Sequence, residues 1–256
     1  MIFESHAHYD DDAFDEDRER LLSELKENGI GCVMNISSSL SSVRTTLSLA
    51  EKYSFIYAAV GVHPSDTGEL NEENFAWLKK QCEKEKVLAV GEIGLDYYWD
   101  NVERDVQKKW FARQLALANE TDLPVVIHSR EAAKATLDVM RAEKAVEKRG
   151  VIHCFSYAKE TAREFLDMGY MIGVGGVVTF HNAKKLRECV EYVPIEAVLL
   201  ETDSPYLAPV PYRGKRNCSL YLPYVAAEIA KIKGIAEEEV IEITGQNAKR
   251  LFGMTE

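Results

Sequence analysis

His6 and His8 stand two residues apart in SHAHYD, at the end of an apolar run. In a strand, side chains at i and i+2 share a face, so both imidazoles can reach one metal ion. An H-x-H pair alone fits two polar residues at a strand end equally well. Four further groups change the balance: Glu92 in VGEIGLDYY, His128 in VVIHSR, His153 in VIHCFS and Asp203 in LLETDSP each follow a hydrophobic run directly. An ionisable side chain in such a place is costly to bury unless it is paired or bound to a cation. Imidazoles with a few carboxylates suit Zn²⁺, Mn²⁺, Co²⁺ or Ni²⁺, whereas all-oxygen cages suit Mg²⁺ or Ca²⁺. Four histidines and two carboxylates are too many for one tetrahedral ion that keeps an open position. They are a reasonable number for two divalent ions sharing a bridging carboxylate. Two such ions, roughly 3.5–4 Å apart, generate hydroxide from water at neutral pH and clamp both oxygens of an in-line displacement at phosphorus.

The elements that must bring these residues together are legible as eight apolar runs: Ile2–His8, Gly31–Ile36, Phe55–Val62, Val87–Ile93, Pro124–His128, Val151–Phe155, Tyr170–Val174 and Ala197–Leu200. Between and after them lie segments with helical spacing: Glu16–Asn28, Leu40–Tyr53, Glu72–Glu85, Val102–Thr121, Glu131–Glu147, Lys159–Met168, Ala183–Tyr192, Leu220–Lys233 and Glu237–Phe252. Continuous apolar strands bridged by helices mark a parallel sheet with crossover connections. Eight such units in about 250 residues predict a (β/α)8 TIM barrel, the metal site at the C-terminal ends of its strands; a doubly wound sheet more often uses five or six. With no Pro/Gly/Ser-rich linker, residues 1–256 read as one domain. Five of the six histidines, His6, His8, His63, His128 and His153, fall at or just beyond strand ends; His181 is the exception. The segment from Thr202 to Cys218 is long and irregular enough to expect function from it.

Composition sets limits on partners. The chain of 256 residues has 31 Lys+Arg and 42 Asp+Glu, a formal charge of −11, with 46% hydrophobic and 29% charged residues. That balance excludes disorder as its main character. It also argues against coating nucleic acid by bulk charge, which rests on Lys and Arg neutralising phosphates. A local phosphate site stays open. Five cysteines without a C-x-x-C pair point to a reducing, cytoplasmic compartment rather than a disulfide framework. The N-terminus has neither a basic nor an apolar targeting segment, and no run is long enough to span a membrane.

Collectively the sequence resembles the TatD family of metal-dependent hydrolases and deoxyribonucleases, a branch of the amidohydrolase-like barrels. The match runs in order through SHAHYD, GVHPSD, VGEIGLDYY, PVVIHSR, HCFS, GVGGVVTFHNAKKLRE, LLETDSPYLAP and RGKRN, over nearly the whole chain. The resemblance implies a barrel with one or two divalent ions (Zn, Mn, Mg, Co or Ni) and hydrolysis of phosphodiesters. It makes His6, His8 and Asp203 ligands of one ion and His128 and His153 ligands of the second, with Glu92 bridging. It also implies 3′-to-5′ trimming of single-stranded or frayed DNA ends, with RNA a further candidate. The alternative is an amidohydrolase-like esterase or deacylase acting on carbon, for example on an aminoacyl ester of tRNA. Three departures stand out: Glu4 where relatives more often carry Asp, His181 where Lys is expected, and Cys218-Ser219 where Glu-Pro usually follows RGKRN.

Roles beyond metal binding follow from residue type and place. Asp203 is expected to serve as general base as well as ligand. His63, in the GVHP turn, is assigned to phosphate binding or leaving-group protonation. Arg130, Arg213 and Lys215 are expected to contact phosphate, with Arg216 adding to the same charge. Tyr98 and Trp99 stand where they can stack a terminal base, with core or rim packing the preferred reading for Trp99. Glu201 shares a face with Asp203, either touching the site or forming a buried structural pair. The expected partners are nucleic-acid ends as substrate, with no membrane and no obligate protein partner, for a chain acting as a monomer.

Overall fold

A computed structural model describes residues 1–99, 101–144 and 149–254. Eight parallel strands run in sequence order around one sheet: β1 (Ile2–Ala7), β2 (Ile30–Ile36), β3 (Ile56–Val60), β4 (Val87–Asp96), β5 (Val125–Arg130), β6 (Gly150–Ile152), β7 (Met171–Val174) and β8 (Val198–Leu200). Helices α1 (Arg18–Glu27), α2 (Leu40–Lys52), α3 (Glu72–Gln81), α4 (Arg104–Thr121), α5 (Ala133–Ala142), α6 (Lys159–Asp167) and α7 (Lys184–Tyr192) bridge them, and α8 (Leu222–Lys233) and α9 (Glu237–Phe252) follow β8. This is the (β/α)8 TIM barrel that the alternation of runs predicts. Each of the eight apolar runs overlaps a strand. β4 extends beyond its expected end to Asp96. The helix expected over Glu131–Glu147 forms at Ala133–Ala142, and residues 145–147 lie outside the described residues. No helix among the described residues is long and apolar enough to cross a membrane. All five cysteines are free.

β1 and β8 meet at the carboxyl end of the barrel. Asp203 N–H donates to His6 O at 2.9 Å, His8 N–H to Ser204 O at 2.9 Å, and Ser5 Oγ–H to Leu200 O at 2.8 Å. Inside, Cys32, Met34 and Ile36 of β2 pack with Ala59, Ala89, Val126, Val151 and Leu199 of the following strands. Phe252 of α9 stacks on Phe3 at 5.9 Å and so covers the interior from the opposite end.

These interior residues define which parity of each strand faces inward. Counting by twos from Val126 reaches His128, from Val151 His153, and from Leu199 Glu201 and Asp203. The same count from Phe3 misses His6 and His8, and from Ala89 it misses Glu92. The register shifts there, between Glu4 and Ala7 on β1 and between Val90 and Ile93 on β4. An irregularity of this kind re-aims the side chains beyond it. At β4 the change of path needs glycine: Gly94 has φ +142°, and a Cβ there would stand 1.9 Å from His128 O.

Candidate metal centre

Two sets of donor atoms meet at Glu92. In the first, His6 Nε2 and His8 Nε2 are 3.1 Å apart; each lies 3.4–3.7 Å from Asp203 Oδ1 and 3.4–3.5 Å from Glu92 Oε2. A tetrahedron with bonds of about 2.0–2.1 Å has edges of about 3.3 Å, so these four atoms fit around one zinc-sized ion. In the second, Glu92 Oε1 lies 2.9 Å from His128 Nδ1 and 2.6 Å from His153 Nε2, and those nitrogens are 3.3 Å apart. Three donors on one side leave positions open for water or substrate. Each carboxylate oxygen of Glu92 thus faces a different set, the geometry of a bridge. The donor chemistry fits the divalent ions implied by the sequence; in the second set the 2.6 and 2.9 Å separations are those of hydrogen bonds, and the groups would spread to hold an ion.

Exposure shows which groups face outward. The His6, His153 and Glu92 side chains are at most 4% exposed, while His63, His128 and Asp203 are 16–17% exposed. The open side is a cavity of about 690 Å³ lined by His8, His63, Glu92, His128, Arg130, His153 and Asp203, with Trp99, Tyr206 and Leu207 among its other lining residues. Asp203 itself takes a left-handed backbone, φ +58°, anchored through its N–H to β1. Such strain is tolerated where the surroundings over-determine it.

Outer partners hold two of the imidazoles. His8 Nδ1 lies 2.7 Å from Ile36 O, which makes that nitrogen the N–H and leaves Nε2 for a metal. His128 Nε2 lies 3.0 Å from Asp96 Oδ2, leaving Nδ1 for the second set. Asp96 is buried, and its Oδ1 accepts the N–H groups of Tyr98 and Trp99. Sequence reasoning passed over Asp96, although an acid ending a hydrophobic strand four residues after Glu92 meets the criterion that selected the others.

The electrostatics are those of a cation site. Burial alone would lower His8, but the Asp203 hydrogen bond and the Glu92, Asp203 and Asp10 charges lift it to about 10. Burial likewise opposes His128, which Asp96 and Glu92 raise to about 9. Burial would raise Glu92, yet the surrounding histidines hold it well below the usual carboxylate range. A divalent ion among these carboxylates would compete with the same protons. Burial, reinforced by His128, pushes His63 down to about 3. Its Nδ1 accepts the Ser65 N–H at 3.2 Å, so its proton sits on Nε2, 3.8 Å from Glu92 Oε1. That geometry makes His63 a neutral hydrogen-bond donor toward the centre, which suits phosphate binding.

The basic residues separate. Arg130 lines the cavity, its guanidinium 3.9 Å over the Tyr98 ring, and makes no ion pair among the described residues. Arg213 and Lys215, expected beside it, are absent from the lining. Arg213 lies over Phe180, on the connection after β7, at 4.5 Å, and Lys215 near Tyr212 of its own loop at 5.8 Å. Arg216 pairs with Asp17 at 2.7 Å. Tyr98 and Trp99 are half exposed, and Trp99 reaches the cavity wall. His181 is exposed and is not part of the lining.

Comparisons with known proteins agree with this architecture. A family model described as "TatD related DNase" matches residues 3–253. An uncharacterized metal-dependent hydrolase of Bacillus subtilis, YabD, is 42% identical over 252 residues, spanning 98% of this chain and 99% of its own length. The Escherichia coli K12 hydrolase YcfH is 35% identical over 255 residues, spanning 98% and 96%. Among solved structures, the E. coli TatD homologue YjjV superposes with a TM-score of 0.93 at 30% identity, covering 99% of this chain and 98% of that one.

Proposed function

The chain belongs to the TatD family of metal-dependent hydrolases, and from that premise we propose that it is a phosphodiesterase removing nucleotides in the 3′-to-5′ direction from single-stranded or frayed DNA ends, and from RNA ends as well. The observation that carries this reading is the pair of donor sets sharing Glu92, open on the side where Arg130 and His63 converge. When bound there, divalent ions would activate water at neutral pH and neutralise charge on a phosphoryl group. His6, His8, Glu92 and Asp203 would hold one ion, and Glu92, His128 and His153 the other. Asp203, partly exposed to the cavity, orients the attacking water and accepts its proton. The Nε2–H of His63 and the fork of Arg130 each hydrogen-bond a phosphate oxygen. A cavity of about 690 Å³ has the size of a small-molecule pocket. It admits one terminal nucleotide, which favours trimming from an end over gripping a duplex.

The apolar lip formed by Trp99, Tyr206 and Leu207 favours one second reading, hydrolysis of an ester at carbon, since the same activated water attacks a carbonyl. Metal-loaded protein incubated with oligonucleotides labelled at either end, beside a panel of carboxylic esters, separates the two. Metal-dependent release of mononucleotides from the 3′ end, lost in Asp203→Asn, is expected. Intact oligonucleotides together with ester turnover would replace the first reading by the second.

A further inference from the structure

A histidine that gives one ring nitrogen to a metal carries its proton on the other and needs an acceptor for it. His8 and His128 have theirs in Ile36 O and Asp96. His6 Nδ1 and His153 Nδ1 are buried without a hydrogen-bond partner. Among the described residues only three other buried side-chain polar atoms lack one, and one of them is Glu201 Oε2. These residues stand together: a ring nitrogen of His6, a ring nitrogen of His153 and a carboxylate oxygen of Glu201 lie within 4.8 Å of one another. The three residues that carry these unpartnered atoms thus share one neighbourhood.

We propose that Glu201 is a positioning residue of the metal centre: one buried water accepts the Nδ1–H of His6 and of His153 and donates to Glu201 Oε2, which so fixes Nε2 as the metal-facing nitrogen of each. Two features hold Glu201 in that role. Its Oε1 accepts the N–H of Cys154, next to His153. Its Oε2 occupies space left by Gly173 on β7, where a Cβ would stand 2.2 Å away. The role rests on the metal-centre reading above and is independent of the substrate.

Glu201→Gln keeps the size of the side chain and an oxygen for the Cys154 N–H, but turns an amide donor toward the water that serves the two histidines. Gly173→Ala displaces the carboxylate without changing its charge. The readouts are Mn²⁺ and Zn²⁺ affinity of the full chain, by competition with a chromophoric chelator, and the Tm of the metal-free protein. Both variants should bind metal about 10–100-fold more weakly. The metal-free Tm of Glu201→Gln should be unchanged or higher, since an amide is less costly to bury than a carboxylate. Affinity within twofold of wild type, or a loss that only follows a falling metal-free Tm, overturns the role. Should Glu201→Gln fail to fold, Gly173→Ala decides by the same criteria. A wild-type chain that binds neither ion overturns the metal centre and this role with it.

Discussion

Asp96 shows how a residue outside the donor set can control it. Its Oδ1 is fixed by two backbone N–H groups, so Oδ2 has one orientation toward His128 Nε2. In Asp96→Asn the carbonyl keeps the backbone bonds and the amide NH₂ turns to the imidazole. Nε2 must then accept, and the proton moves to Nδ1, the nitrogen facing Glu92. Metal affinity at the second set should fall about 10–100-fold with little change in fold, measured by chelator competition and circular dichroism. The departures at Glu4 and Ser219 also find a physical account, because the two residues touch. Glu4 Oε2 accepts from Ser219 Oγ at 2.8 Å and Thr202 Oγ1 at 2.7 Å, while Oε1 accepts from Thr202 N and His6 N. The extra methylene of Glu4 is what reaches Ser219. Glu4→Asp, which installs the residue that the family resemblance implies there, should therefore cost about 1–3 kcal/mol in denaturant unfolding by leaving buried groups unpaired. A variant as stable as wild type would show that the network re-forms around the shorter side chain.

At the scale of elements, strand ends were legible because parallel strands are continuous apolar runs, and the histidines and acids that close several of those runs mark the face where active sites lie. The histidines and acids of β5, β6 and β8 also obey simple alternation from the barrel interior. Those of β1 and β4 do not: the irregularities that turn His6, His8 and Glu92 inward are set by pairing register, which the order of residue types does not reveal. The eighth loop is a second case. Its basic residues were expected at the mouth, yet Arg216 is held by Asp17 and Arg213 by Phe180, partners distant in sequence. What shapes that loop is Asn217, fully buried, whose Nδ2 donates to Thr202 O and Tyr206 O at 3.0 and 2.8 Å while its N–H donates to Pro205 O. It ties the end of the loop to the segment that carries Asp203. Asn217→Ala should lower stability by about 1–3 kcal/mol and reduce kcat more than it raises KM, because the loop positions Asp203. Steady-state kinetics beside a denaturant titration would check this; a rise in KM alone would assign the loop to substrate binding.

For the whole molecule, a net charge of −11 and a phosphodiester substrate are compatible only if attraction is local. Two divalent cations and Arg130, which makes no ion pair among the described residues, would offset the five carboxylates that line the cavity, Asp10, Asp11, Glu92, Asp96 and Asp203, so attraction is confined to the ions and to that one guanidinium. Elsewhere near the mouth the basic side chains are engaged: Arg216 faces Asp17, and Arg213 and Lys215 lie over aromatic rings outside the cavity. Few phosphates can therefore be neutralised at once, and counterion release should be small. With slopes of about −0.7 per phosphate on single strands, contact with one or two phosphates gives a log K against log [salt] slope between about −0.7 and −1.4. The test uses the metal-loaded chain with its donor set intact, a labelled single strand with phosphorothioate linkages, to slow turnover, and fluorescence anisotropy across a KCl series. Binding should require a free end and weaken gently with salt. A slope steeper than about −3 would mean that a longer stretch of backbone lies along the surface, and the acidic exterior would then have to carry a basic track that the described residues do not form near the mouth.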